Sequence, residues 1–152
     1  SPRGKHLMSV RLATKEDIPN LLRMSELFFN ASGYQSITTF NKSDSQELLN
    51  NLVDVGTMLT DGKSAMIGFV IFPLFMNKKT IMSQELFWWV DEDKRGTRVA
   101  IELLKAAEKI SKQSGATVMN MLSLEDLNGE KVNKLYQRLG YERKEQSYMR
   151  VL

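Results

Sequence analysis

The chain has 152 residues, 42% of them apolar, which suits one domain built around one shared core. It has no cysteine and one histidine, His6, which excludes disulfides, thiol nucleophiles, Ser-His-Asp triads and zinc sites made of Cys or His. Setting aside Arg3 and Lys5 near the start, 19 basic side chains face 18 acidic ones, a balance that argues against nucleic-acid binding through a charged patch.

Residues 1–7 are polar or basic, contain Pro2 and Gly4, and read as an expression remnant or a disordered leader ahead of one domain over 8–152. Ser9 to Ala13 alternates Val10 and Leu12 with polar neighbours and predicts a short strand. Thr14 followed by Asp17 resembles a capping box that opens a helix through Leu21, Leu22, Met24 and Phe28, ended by Gly33. A polar stretch from Ser32 to Asp44 leads into a second helix with Leu48, Leu49, Leu52 and Val53 on one face.

Val55 to Thr60, the turn Asp61-Gly62-Lys63 and the apolar run from Ala65 to Met76 predict a hairpin, because Asp-Gly supplies the positive φ of a tight turn. Asn77-Lys78-Lys79 is expected to turn the chain again into a strand over Ile81 to Val90, giving three neighbouring antiparallel strands. Pro73 suits an edge position or a bulge, since it cannot donate to a ladder. Both apolar runs, Ala65 to Met76 and Leu86 to Val90, are shorter than the roughly 20 residues of a membrane helix.

Val99, Leu103, Ala106 or Ala107 and Ile110 then recur at helical spacing up to Gly115, and Thr117 to Leu122 predicts a strand. Asn128 to Leu139 carries Val132, Leu135, Tyr136 and Leu139 on one stripe and is stopped by Gly140. Tyr141 to Leu152 is expected to close the domain as a strand or hairpin. The order is β-α-α-β-β-β-α-β-α-β, an α/β (α+β) class with a mixed, mostly antiparallel sheet flanked by helices.

The chemistry concentrates where the strand ending at Val90 runs through Asp91-Glu92-Asp93-Lys94 into Arg95-Gly96-Thr97-Arg98-Val99-Ala100. A helix start after a tight turn leaves main-chain N–H groups unpaired at the positive end of the helix dipole, which makes an anion site. Gly96 permits an unusual turn, and the small Ala100 leaves room for a ligand near the main chain.

This stretch resembles the GNAT superfamily of acyl-CoA-dependent N-acyltransferases, whose signature is Arg or Gln, two residues, Gly, one residue, then Gly or Ala. Here the match is Arg95-x-x-Arg98-x-Ala100. Leu86 to Asp91 and Leu135-Tyr136-Gln137-Arg138-Leu139-Gly140-Tyr141 are similar to the family's other motifs, and the resemblance covers nearly all of 8–152. It looks closest to short phage-borne members.

The resemblance implies that acetyl-CoA lays its pyrophosphate on the main chain from Arg95 through Gly96, Thr97, Arg98 and Val99 to Ala100. Its pantothenate arm would pair with Trp88, Trp89 and Val90, and Asn128 would help hold it. Arg98 stands where the family usually has glycine. Its side chain either swings out to bond a phosphate or marks a loop that no longer binds coenzyme A.

By the same resemblance Tyr136 protonates the departing thiolate. Otherwise it packs beside Val132 and Leu139 with its hydroxyl on main chain. The attacking amine must lose a proton. Glu85 is the candidate base, with Gln84 nearer the family's position by count unless a bulge shifts the register, and with a water relay or a solvent-facing Glu85 as the alternatives. Asn128 is equally suited to capping the last helix, and Asn120 to lining the cleft or to a plain strand hydrogen bond.

The expectation is therefore direct transfer of acetyl to a primary amine in a ternary complex, with no metal and no covalent intermediate, by a cytoplasmic monomer or homodimer. Peptide lysines, N-termini, polyamines, antibiotics and nucleobase amines remain open as acceptors. The contrasting expectation is a non-catalytic module of the same fold, kept for partner binding or particle assembly.

Overall fold

The computed structural model describes residues 9–152, so the reading of residues 1–7 lies outside the described residues. Strands β1 (Arg11–Leu12), β2 (Met58–Thr60), β3 (Ala65–Leu74), β4 (Asn77–Val90) and β5 (Val118–Asn120) form one sheet in that order. All neighbours are antiparallel except β4 and β5, which run parallel. Helices α1 (Ile18–Ala31) and α2 (Lys42–Val55) precede β2, α3 (Val99–Gln113) crosses between β4 and β5, and α4 (Gly129–Arg138) follows β5. This is the mixed α/β arrangement expected.

Helices α1, α2 and α3 each bury one stripe. Leu21 and Met24 of α1 and Leu49 and Leu52 of α2 pack with Met58, Met66, Phe87 and Trp89 on one face of the sheet. Val99, Leu103, Ala106 and Ala107 of α3 cover the other face against Leu59, Ile67 and Phe69. Every fully buried Leu, Ile, Met or Phe contributes about 1.5–3 kcal/mol by leaving water. The described helices include none long and apolar enough to cross a membrane.

Three expected boundaries differ. Val55 is the last residue of α2, not the first of a strand, because Gly56 takes the left-handed conformation (φ 78°) and its N–H bonds Leu52 and Val53 carbonyls, ending the helix. The second hairpin turns at Phe75-Met76, so Asn77 to Lys79 already belong to β4. Residues after Tyr141 form neither strand nor hairpin. Pro73 behaves as expected: β2 pairs with β3 only as far as Gly68, so Pro73 lies on open edge, next to a register irregularity.

Candidate active site

β4 supplies the floor of the site, and one extra residue decides which way it faces. Opposite Gly68 stands Phe87 and opposite Phe69 stands Glu85, so Leu86 is unmatched, a β-bulge. Strict alternation would put Glu85 on the face of Phe87 and Trp89. With the bulge, Glu85 instead joins Trp88 and Val90 in lining the cleft beside α3 and α4. Gly68 makes the bend affordable in space: a Cβ there would sit 2.7 Å from the Phe87 ring.

Beyond the bulge β4 and β5 part. Met82 to Gln84 pair with Val118 to Asn120, and there the ladder stops. The next available main-chain group on the β5 side, the Leu122 N–H, donates to Glu85 Oε1 at 2.9 Å, and the Leu122 carbonyl accepts the Tyr136 hydroxyl at 2.6 Å. One residue's main chain therefore joins the two side chains singled out for proton chemistry. Expecting a strand through Leu122 overshot because this N–H serves a side chain, not β4.

Glu85 is only 4% exposed. Burial pushes its carboxyl up to about 7, against the smaller opposing pull of the Leu122 N–H. Burial also pushes the Tyr136 hydroxyl up, with the nearby charge of Glu85 and then Tyr141 adding to it. Tyr136 stacks on Trp88, ring centres 6.1 Å apart, and touches Tyr141 at 5.6 Å. The Trp88 indole nitrogen is buried with no partner among the described residues, a donor without an acceptor in a ligand-sized cleft.

The cleft encloses about 360 Å3. At its other end Gly96 is left-handed (φ 84°) with nothing within 4 Å of where a Cβ would be, and the chain enters α3 with Arg98 as the residue before the helix. The first main-chain bond of α3 runs from the Glu102 N–H to the Arg98 carbonyl at 3.0 Å, so the N–H groups of Val99, Ala100 and Ile101 precede it unpaired within the helix. Gly96, Thr97, Ala100 and Ile101 line the cleft, as do Lys131 and Arg138 of α4.

The loop is braced from below. Arg95 donates Nε to the Val90 carbonyl at 3.0 Å, and its guanidinium lies 4.8 Å from the centre of the Trp89 ring. Trp89 Nε1 donates to Asp91, which also takes two bonds from Arg23 of α1, the shorter at 2.8 Å. Burial alone would raise the Asp91 carboxyl, but the Arg23 and Trp89 donors outweigh it and hold it below the ordinary range. The bonding roles of Arg23, Asp91 and Leu122 escaped the sequence reading. The first two are ordinary surface residue types far apart in the chain, and Leu122 acts only through main chain.

Of the residues expected around the cofactor, Trp88, Trp89, Val90, Arg95, Gly96, Thr97, Ala100 and Asn128 line the cleft together with Glu85 and Tyr136. Arg98 and Val99 are not among the lining residues: Arg98 is exposed, and Val99 is buried in the core. Asn128 has φ 53°, a left-handed backbone that Asn tolerates, and its side chain caps nothing, so the capping alternative does not hold. Asn120 donates to Gln84 Oε1 at 2.7 Å, a cross-strand bond between parallel neighbours.

A sequence model described as the acetyltransferase (GNAT) family matches residues 22–141. No curated protein sequence matches. Among solved structures the chain is similar to a Trypanosoma brucei acetyltransferase (16% identity, 94% of this chain and 98% of that one covered, TM-score 0.68). It is also similar to a ribosomal-protein-alanine N-acetyltransferase from Brucella melitensis biovar Abortus 2308 (15%, 94% and 99%, 0.69). A third is a predicted acetyltransferase from Clostridium acetobutylicum solved with acetyl-CoA (16%, 92% and 93%, 0.68). At such identities the structural likeness speaks for the fold alone.

Proposed function

Because the chain belongs to the GNAT acetyltransferase family, we propose that it moves an acetyl group from acetyl-CoA to a primary amine by direct attack within one ternary complex. The observation that carries this reading is Glu85, a buried carboxylate turned into the cleft at the point where β4 and β5 separate, with its proton affinity near neutrality.

The residues present fit a pyrophosphate-bearing thioester. The N-terminus of α3 offers unpaired N–H groups at the positive end of its dipole, Gly96 keeps the approach to them clear, and Lys131 and Arg138 add positive charge. The Trp88 indole N–H offers a hydrogen bond that no group among the described residues accepts. When bound, the ligand supplies an activated acetyl thioester. Trp88, Trp89 and Val90 offer the β4 edge left bare by the departure of β5, along which an extended arm would lie.

Glu85 takes the proton that the amine must lose. A carboxyl near 7 is largely ionised at slightly alkaline pH yet basic enough to accept, which is the compromise a general base needs. Tyr136 remains protonated and gives a hydrogen bond to the leaving sulfur once it releases Leu122. Its raised proton affinity makes full transfer to a thiolate uphill, so its share is modest. Positioning supplies most of the rate.

The test is thermal unfolding with acetyl-CoA, followed by thiol release in the presence of amines. Ligand at 100 times its dissociation constant adds about 2.7 kcal/mol, a rise of several degrees, and no rise would overturn the reading. Because Arg98 is exposed and is not among the lining residues, Arg98→Gly is expected to show the same rise.

A further inference from the structure

The cleft has two chemically different ends, and α1 marks which is which. The helix runs against β4: Arg23 reaches Asp91 just past the strand, and Phe28 lies beside Phe87 with ring centres 6.1 Å apart. Four residues of strand, roughly 13 Å, separate these two levels. Beyond Asp91 the cleft is lined by Gly96, Thr97 and Ala100 at the start of α3. At the level of Phe87 stand Phe28 and the loop after β5. Leu127 of that loop packs on the same core as Phe28, and a Cβ on Gly33, just past α1, would run into the Asp126 carboxylate.

This second end is apolar. Phe28, Leu122, Leu124 and Leu127 line it, and Glu85 stands at its floor, where β4 and β5 part. Among the described residues that line the cleft, Glu85 is the only acid, whereas Arg95, Lys131 and Arg138 are positive. Glu125 and Asp126 share the loop with Leu124 and Leu127 but are exposed and not among the lining residues. An acceptor bearing several charged amines would therefore meet like charge and no second carboxylate. A peptide would bring main-chain N–H and C=O groups to a wall of leucine and phenylalanine, where each one buried unpaired is costly. An apolar group beside the amine meets neither penalty and gains by leaving water.

We propose that the acceptor is a small monoamine carried on an aromatic or branched apolar body, of the phenethylamine type. The body lies between Phe28 and the leucines of the loop after β5, and the nitrogen points at Glu85. This acceptor class presupposes the acetyl transfer proposed above, with the thioester arm along Trp88 to Val90, which leaves the Phe28 end to the amine. The amine nitrogen bonds the acetyl carbon and displaces the sulfur with its electron pair. The nitrogen's proton passes to Glu85, and a proton returned to sulfur leaves a substituted acetamide and a free thiol.

The test measures thiol release from acetyl-CoA with phenethylamine, ethylamine, spermidine, lysine blocked at its α-amine, and the tripeptide Phe-Ala-Ala. The expected kcat/KM for phenethylamine is about 100-fold above those for spermidine, blocked lysine and the tripeptide, and about tenfold above that for ethylamine. In Phe28→Ala the ratio of phenethylamine to ethylamine should fall about tenfold through the phenethylamine KM, and Leu124→Ala should lower it in the same direction, whereas Phe28→Leu should keep the preference. Leu124→Ala, on a loop, carries the test if Phe28→Ala does not fold. Calorimetric binding of phenethylamine to protein saturated with coenzyme A, where no transfer occurs, should weaken in step. A preference for spermidine, blocked lysine or the tripeptide, or a ratio untouched by these two alanine variants, overturns the acceptor class while acetyl transfer stands. Failure of acetyl-CoA to raise the unfolding temperature overturns both, so the two failures are told apart.

Discussion

Glu85 illustrates how a single residue can serve activity at the expense of stability. Its folded carboxyl holds its proton up to about 7, against 4.5 ordinarily. Between those values the native state binds the extra proton, so stability falls as pH rises from about 4.5 to about 7, by something on the order of 3 kcal/mol, and stays lower above. Glu85→Gln keeps an acceptor for the Leu122 N–H and removes the charge. It should unfold several degrees higher than the parent at pH 8 and no higher at pH 4. In acetyl transfer the same variant should lose about 100-fold or more, together with the limb of the pH–rate profile that rises near 7. Tyr136→Phe tests the other end of the pair. With the 2.6 Å bond to the Leu122 carbonyl gone, it should cost about 1 kcal/mol in denaturant unfolding and roughly tenfold in turnover, with affinity for acetyl-CoA unchanged by calorimetry.

Among the elements, β4 and its bulge set the geometry. Gly68→Ala would drive a Cβ to 2.7 Å from the Phe87 ring and 3.1 Å from Leu52, where neither can withdraw freely. We expect a loss of about 1–3 kcal/mol in chemical unfolding, partly recovered by adding Phe87→Leu. Helices were legible from sequence because their apolar stripes repeat over three or four turns, as Leu21 and Met24 or Val99, Leu103 and Ala107 do. The hairpins were legible as pairs but not in their turns, since the Asn77 side chain accepts the Lys79 N–H at 3.1 Å within β4 itself and Phe75-Met76 carries no turn chemistry. That Glu85 faces the cleft was readable only as a condition, a bulge that shifts register, because the cause lies in Gly68 on a neighbouring strand. The final segment misled for a different reason: its composition favours a strand, but a strand also needs a partner, and composition names none.

At the scale of the molecule, two parts of unequal strength meet across the cleft. α3 is pinned by Val99, Leu103, Leu104, Ala106 and Ala107, whereas α4 buries Tyr136 alone, and β5 pairs with β4 over three residues. Amides of α4 should therefore exchange with deuterium well before those of α3 and β3, and acetyl-CoA, gripped from both sides, should slow α4 most; equal protection of both helices in the free protein would contradict this. The junction between the parts is Leu122, and it acts through atoms that every residue but proline possesses. Its side chain, 38% exposed, is released from that duty. Replacing Leu122 by any residue but proline should therefore reshape the wall of the cleft while leaving both main-chain bonds, to Glu85 and to Tyr136, in place.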